Sequence, residues 1–248
     1  MQFDLIFTMK IRERNCSARS LAEVISGRDI KCCIIKRMFN RTLARKFFAA
    51  GLLVFAVTLA VLLCRQFSLA PARPSPEFRA FGPKNATIQI YEYTDFSCPA
   101  CKAAETHVMK ILEVYRGSVR VNFKHYPLPT IHPWSFQAAA YADCAGAQGR
   151  FMEYAALLFE NQEQWAFAKS KPAQFASFAA ELKLDLPALE SCAAAPETAR
   201  RVKLDISEGD LRGVNATPTF FINGKRAVGG TQFLDQAKKF DNLLNKNR

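Results

Sequence analysis

The stretch that decides the fold is Ile88-Gln89-Ile90-Tyr91-Glu92-Tyr93-Thr94-Asp95-Phe96-Ser97-Cys98-Pro99-Ala100-Cys101. Residues 88–93 alternate and are rich in β-formers, which predicts a strand. After Thr94-Asp95-Phe96-Ser97 a helical pattern takes over, with Cys101, Ala104, Val108, Ile111, Leu112 and Tyr115 on one face and Lys102, Glu105 and Lys110 off it. Pro99 suits the first helical position, where its missing N–H would have had no partner anyway. Cys98 then lies at the helix N-terminus, where unpaired backbone donors and the macrodipole stabilise an anion. The thiolate is the reactive form of cysteine, so this position lowers the Cys98 pKa and makes it the attacking sulfur. Cys101, one turn further in on the same face, is placed to resolve a mixed disulfide.

Two thiols at this spacing also make half a zinc site, and zinc needs two more ligands, usually from a second paired motif. Downstream, Cys144 and Cys192 are 48 residues apart and His107, His125 and His132 show no paired spacing. A strand before the pair and a helix after it therefore point to redox chemistry and to no metal.

Near the C-terminus, Thr217-Pro218-Thr219-Phe220-Phe221-Ile222 reads as a short strand opened by proline. Asn223-Gly224 is a strong hairpin turn, and Lys225 to Val228 returns as the partner strand. Gly229-Gly230 ends the hairpin in this reading. Thr231 caps a final helix through about Asn245, with Phe233, Ala237, Phe240 and Leu244 facing inward.

Upstream the composition changes. The 248 residues carry a formal charge of +12, but residues 1–46 alone hold 11 Lys+Arg against 4 Asp+Glu. The basicity is mostly a flank, which argues against a nucleic-acid-binding face. From Phe47 to Cys64 no residue is charged, and 18 helical residues span roughly 27 Å, enough to cross a bilayer. Arg37, Arg41, Arg45 and Lys46 precede this run, and only Arg65 and Arg73 follow soon after. The positive-inside bias keeps the N-terminus cytoplasmic and sends the rest outward. A retained anchor is favoured over a cleaved signal at Ser68-Leu69-Ala70, because the run exceeds a usual signal core and Pro71 would follow the cut.

The expected organisation is a basic cytoplasmic segment over 1–46, a transmembrane helix over 47–64, a Pro-rich linker over 65–86 and one domain over 87–248. Met38 begins a complete charged-then-apolar export signal of its own, so 1–37 reads as an upstream start, and Cys16, Cys32 and Cys33 within it are assigned no function.

Four blocks carry a family resemblance: Glu92 with 95–101, Phe123 to Leu128, Gln148 to Phe151, and Gly213 to Gly224. Their order and spacing resemble the DsbA-like thioredoxin-fold thiol oxidoreductases of bacterial envelopes, over about residues 85–245. The resemblance implies an α/β thioredoxin-like fold with an inserted helical subdomain, about 128–211, here preceded by one transmembrane helix. Helical patterns at 134–148, 150–165, 172–182, 186–193 and 196–211 fit such an insertion. It implies that Cys98 and Cys101 are catalytic, with Pro99 and Ala100 as the active-site turn. It also implies that Pro218 is cis and faces this turn, with the Thr217 backbone pairing an extended substrate. Glu92 is either a buried acid that relays a proton or a solvent-facing strand residue. Pro127, Leu128, Pro129, Trp134 and Phe136 either offer apolar surface to unfolded chains or pack the insertion. Relatives carry a second cysteine pair in similar places, and an unpaired thiol beside an oxidant would not survive, so Cys144 and Cys192 are expected to form a structural disulfide. The implied partners are partly folded exported proteins with thiols and a membrane quinone-linked thiol reoxidant, or a reducing partner if the enzyme runs as a reductase or isomerase. No cofactor is implied.

Overall fold

A computed structural model describes residues 29–68 and 72–245. They fall into two units that part between Phe67 and Ser68. Cys16, Leu69, Ala70 and Pro71, on which some of these expectations rest, lie outside the described residues, as do residues 1–28. In the first unit, helix α1 is described over Asp29–Ser68. Its Arg45–Leu63 segment has a mean hydropathy of 2.3 and is the one helix among the described residues long and apolar enough to cross a membrane.

In the second unit a five-stranded sheet has the order β1-β3-β2-β4-β5. The strands are β1 (Ala80–Phe81), β2 (Ile88–Thr94), β3 (Val119–His125), β4 (Thr219–Ile222) and β5 (Lys225–Val228). Only β2 and β3 pair in parallel, and helix α2 (Pro99–Val114) connects them, because parallel neighbours need a long crossover. Cys101, Ala104 and Val108 of α2 pack with Ile88, Ile90, Val119, Val121, Phe220 and Phe233 in the main core. At the turn between β4 and β5, Asn223 and Gly224 both adopt positive φ, +46° and +82°, as a tight two-residue hairpin demands.

Between β3 and β4 lies the helical insertion: α3 (Ser135–Ala147), α4 (Phe151–Glu160), α5 (Gln162–Trp165), α6 (Gln174–Glu181), α7 (Leu186–Ala194) and α8 (Pro196–Leu211). A second, smaller core of Tyr93, Tyr126, Val214 and Phe221 lies under α8. There Gly209 permits close approach, since a Cβ on it would sit 2.7 Å from two atoms of the Tyr126 ring.

The predicted helix over 150–165 is interrupted at Asn161, and the final helix divides into α9 (Gly229–Ala237) and α10 (Phe240–Asn245). Gly229 and Gly230 open α9 instead of ending the hairpin, and Thr231 caps nothing. The Gln232 side chain accepts the Val228 N–H at 2.9 Å and supplies the acceptor expected of a cap.

Part of the stretch read as a linker is packed structure. Ala72, Ser75, Arg79, Ala80 and Ala86 are buried, and β1 extends the sheet by pairing with β3. Phe78 and Phe81 of this segment pack against the main core, and its buried charge is paired. Arg79, 1% exposed, pairs with Asp143 of α3 and Asp205 of α8 and donates to the Phe123 carbonyl at 2.8 Å. Lys124, also buried, reaches Asp205 at 3.3 Å and Glu208 at 3.0 Å, while His125 Nε2 lies 2.9 Å from Asp143. Buried charges persist only when paired. Arg79 and Lys124 each have acidic partners on the insertion.

Candidate active site

Cys98 is the N-cap of α2, with extended φ and ψ of −83° and 122°, and Pro99 fills the first helical position. Pro99 and Ala100 are exposed, whereas Cys98 is 9% exposed and Cys101 is completely buried behind it. From 119 residues further along, Thr217 brings its carbonyl oxygen to 3.5 Å from the Cys98 sulfur. The Thr217–Pro218 peptide bond is cis and Pro218 is buried. The sequence elements thus converge at one point: the N-terminus of α2 and the segment entering β4.

The two thiols have opposite tendencies. The Cys101 thiol first, then the Thr217 side chain and the backbone N–H groups of Cys101 and Ala100, stabilise the Cys98 thiolate and outweigh burial, lowering its pKa to about 5. Burial first, and the Cys98 sulfur second, push the Cys101 thiol well above the usual range. With Cys101 buried behind Cys98, the reduced pair can attack only through the Cys98 thiolate, and the disulfide of the oxidised pair can be attacked only at the Cys98 sulfur.

Glu92 is 2% exposed, so the solvent-facing alternative is excluded. On β2 it lies in register with Phe123 of β3 and Phe220 of β4. Burial in the first place, and the charge of Glu105 in the second, raise its carboxyl to about 8. Thr94 neighbours both the Glu92 carboxyl and the Cys101 thiol.

Cys144 of α3 and Cys192 of α7 form a disulfide, with Cα atoms 5.8 Å apart. Of the candidate apolar surface, Pro127 is buried, Leu128, Trp134 and Phe136 are half-buried, and Pro129 is exposed. The Trp134 indole N–H donates to the Ala168 carbonyl at 2.8 Å, so this ring packs within the insertion. Ile131 and Phe167 are the exposed large apolar side chains nearby, and the Phe167 ring lies 6.0 Å from that of His132.

Three residues that sequence reasoning passed over hold the turn. The Asp95 carboxylate accepts from the Ser97 N–H at 2.8 Å, the Leu128 N–H at 2.9 Å and His132 Nδ1 at 2.7 Å. Gln162 of α5, 4% exposed, donates to the carbonyls of Phe96 and Cys98 at 2.8 and 3.0 Å. An aspartate two residues before a helix-entry turn is a local signal that could have been read. Nothing local marks His132 or Gln162, whose partners lie 37 and more than 60 residues away.

Comparison with known proteins agrees with this geometry. A family model described as Thioredoxin matches residues 75–244. The fold is similar to the crystal structures of α-DsbA1 from Wolbachia pipientis (22% identity, TM-score 0.61, covering 71% of this chain and 96% of that one) and of oxidised BdbD from Bacillus subtilis (20%, 0.61, 71% and 98%). Pseudomonas aeruginosa DsbA2 is 25% identical with a TM-score of 0.51, over 64% of this chain and 86% of that one. Among curated proteins the chain is similar to the Na(+)/H(+) antiporter NhaA 3 of Salinispora tropica, 38% identical over 148 residues. That match takes in 60% of this chain, which spans about a fifth of the antiporter, 22% of its length.

Proposed function

This chain belongs to the thioredoxin family and has a DsbA-like fold, and from that premise we propose that it is a thiol–disulfide oxidoreductase that oxidises cysteine pairs in exported proteins. The single observation that carries the proposal is the asymmetry of the pair: a Cys98 thiol lowered to about 5 at a helix N-terminus, before a buried Cys101 pushed upward. Stabilising the thiolate stabilises the reduced enzyme, and this makes its disulfide the stronger oxidant.

A substrate thiolate attacks Cys98 Sγ, the Cys98–Cys101 bond breaks, and Cys101 leaves as a thiolate that must gain a proton. Glu92, protonated at neutral pH, is the proposed donor. A second substrate thiolate then attacks the substrate sulfur of the mixed disulfide, and Cys98 departs as a thiolate, a good leaving group because its pKa is low. The substrate pair loses two electrons and the enzyme gains them. A quinone-linked thiol oxidant of the membrane returns the pair to the disulfide. Thr217 and Pro218 are assigned to holding the substrate segment beside Cys98, a role supported by the 3.5 Å approach of the Thr217 carbonyl.

The proposed location is a single-pass anchor over 47–64 with the N-terminus cytoplasmic and the domain outside. The charge bias around the apolar helix supports it. The deciding experiment is the equilibrium redox potential against glutathione. A value between about −270 and −120 mV with an oxidised pair in cells supports the oxidase. A value at or below the thioredoxin end, with a reduced pair in cells, would make the same site a reductase.

A further inference from the structure

We propose that Asp95 and His132 form a latch through which the helical insertion positions the active-site turn. Both are positioning residues, and the proposal deepens the function above, since it rests on Cys98 and Cys101 being the reactive pair.

Asp95 is 1% exposed and touches both cysteines through its main chain: its N–H points to the Cys101 sulfur at 3.5 Å, and its carbonyl accepts the Cys98 N–H at 3.0 Å. Its side chain points the other way, to the insertion. One carboxylate oxygen takes the Ser97 N–H, and the other takes the Leu128 N–H and His132 Nδ1. Ser97 and Leu128 donate from the backbone, and such donors cannot switch to acceptors as an imidazole tautomer can. Both terminal atoms of residue 95 must therefore be acceptors. A carboxylate meets that condition, whereas an amide would set its NH2 against one fixed N–H in either orientation, and an unmet buried donor is costly.

The far side of the latch is itself held. The His132 N–H donates to the Leu128 carbonyl at 2.9 Å, and its own carbonyl accepts from the Ser135 hydroxyl at 2.8 Å and the Ser135 N–H at 3.1 Å. The turn over 128–135 is thus fixed at the entry to α3. Any tilt of α3 relative to the sheet is passed through His132 to Asp95 and from there to both sulfurs.

Charge and position predict opposite signs for one substitution, which makes the proposal testable. If Asp95 acted only as a nearby negative charge, Asp95→Asn would ease ionisation of Cys98 and lower its pKa. If it acts by position, freeing the turn removes the donors that converge on Cys98, and its pKa rises toward the unperturbed value of about 8.5. The experiment titrates Cys98 by thiolate ultraviolet absorbance and measures the glutathione equilibrium for the full chain, Asp95→Asn, His132→Leu and His132→Gln, below each thermal midpoint.

We expect Asp95→Asn and His132→Leu to raise the Cys98 pKa by about one unit or more and to make the pair about tenfold less oxidising, which is about 30 mV. His132→Gln, which keeps a donor, should recover most of both. His132→Leu leaves Asp95 its two backbone donors, so it decides the matter if Asp95→Asn does not fold. Folded variants with the wild-type pKa and potential, or an Asp95→Asn pKa that falls, would overturn the latch while leaving the reactive pair intact. A wild-type Cys98 that titrates as an ordinary thiol would instead overturn the active-site reading, and the latch with it.

Discussion

The carbonyl oxygen of Thr217 stands 3.5 Å from the Cys98 sulfur, so two segments 119 residues apart meet at the atom proposed to begin disulfide exchange. Neither segment alone makes the site. The N-terminus of α2 favours an anion there, and the segment before β4 closes one side of it. Four predictions follow from the environment of this point and from what holds the domain around it.

Within the reduced Cys98–Cys101 pair, alkylation should fall on Cys98 and should follow its fraction of thiolate. With a pKa of about 5, the rate should level off above roughly pH 6 and fall about tenfold per unit below pH 5. The lowered pKa also stabilises the reduced fold. That contribution is fully present above the unfolded thiol value near 9 and is lost as pH falls through about 5. Modification rates and chemical unfolding of the reduced form, each measured from pH 4 to about 9, check both statements. A rate still rising above about pH 8 would contradict the first.

Glu92→Gln should raise stability at pH 8 more than at pH 5. The buried carboxyl titrates near 8 in the fold, against about 4.5 for an exposed carboxyl, so the contribution of its neutral form is fully present below about 4.5 and is lost as pH rises through about 8. The difference between the two pH values should be on the order of a few kcal/mol, read from urea midpoints. The same variant should slow the step that protonates Cys101, seen as slower appearance of the mixed disulfide at neutral pH.

Replacing Cys144 and Cys192 together by alanine should cost about 3 to 4 kcal/mol, because the bond closes a loop between positions 48 apart and removes that freedom from the unfolded chain. Redox turnover should persist, as neither sulfur contacts the Cys98–Cys101 pair. Peptide mapping without reductant checks the linkage, and free alkylation of both cysteines would refute it.

Arg79→Ala should destabilise the domain by about 3 to 5 kcal/mol, since it leaves the carboxylates of Asp143 and Asp205 buried with one cation fewer. Added salt should change this cost little, because the group is screened from solvent. Thermal melting of the variant at low and high ionic strength provides the test. A loss below about 1 kcal/mol would show that the segment over 72–81 is held by other contacts.

Sequence reading and structure agree on most elements whose cause is local, the Thr231 cap, the hairpin end at Gly229-Gly230 and the unbroken helices over 150–165 and to Asn245 excepted. The strand over 88–93, the helix after Cys98, the Asn223-Gly224 turn and most of the insertion helices rest on periodicity, proline geometry and positive φ, all of which act within a few residues. A pattern of this kind tells which side chains share a face but not what covers that face. Glu92 shows the difference: alternation places it on β2, yet it is the folded surroundings that bury it, and burial first and the charge of Glu105 on α2 second raise its pKa.

The remainder depends on partners distant in sequence. Arg79 lies among prolines and reads as part of a spacer, but Asp205, 126 residues on, supplies the partner that its buried charge requires. Asp95 reads as a turn former until Leu128 and His132 arrive at its second oxygen. By itself the sequence determined most of the elements and placed the proposed reactive pair at a helix N-terminus, because propensity and helix-end geometry are properties of short segments. The pairing of Cys144 with Cys192 is expected from the number of cysteines and the family resemblance. Tertiary structure alone decided which charges are buried, what fixes the active-site turn and where the domain begins, because the free energy of a buried polar group is set by the groups that meet it after folding.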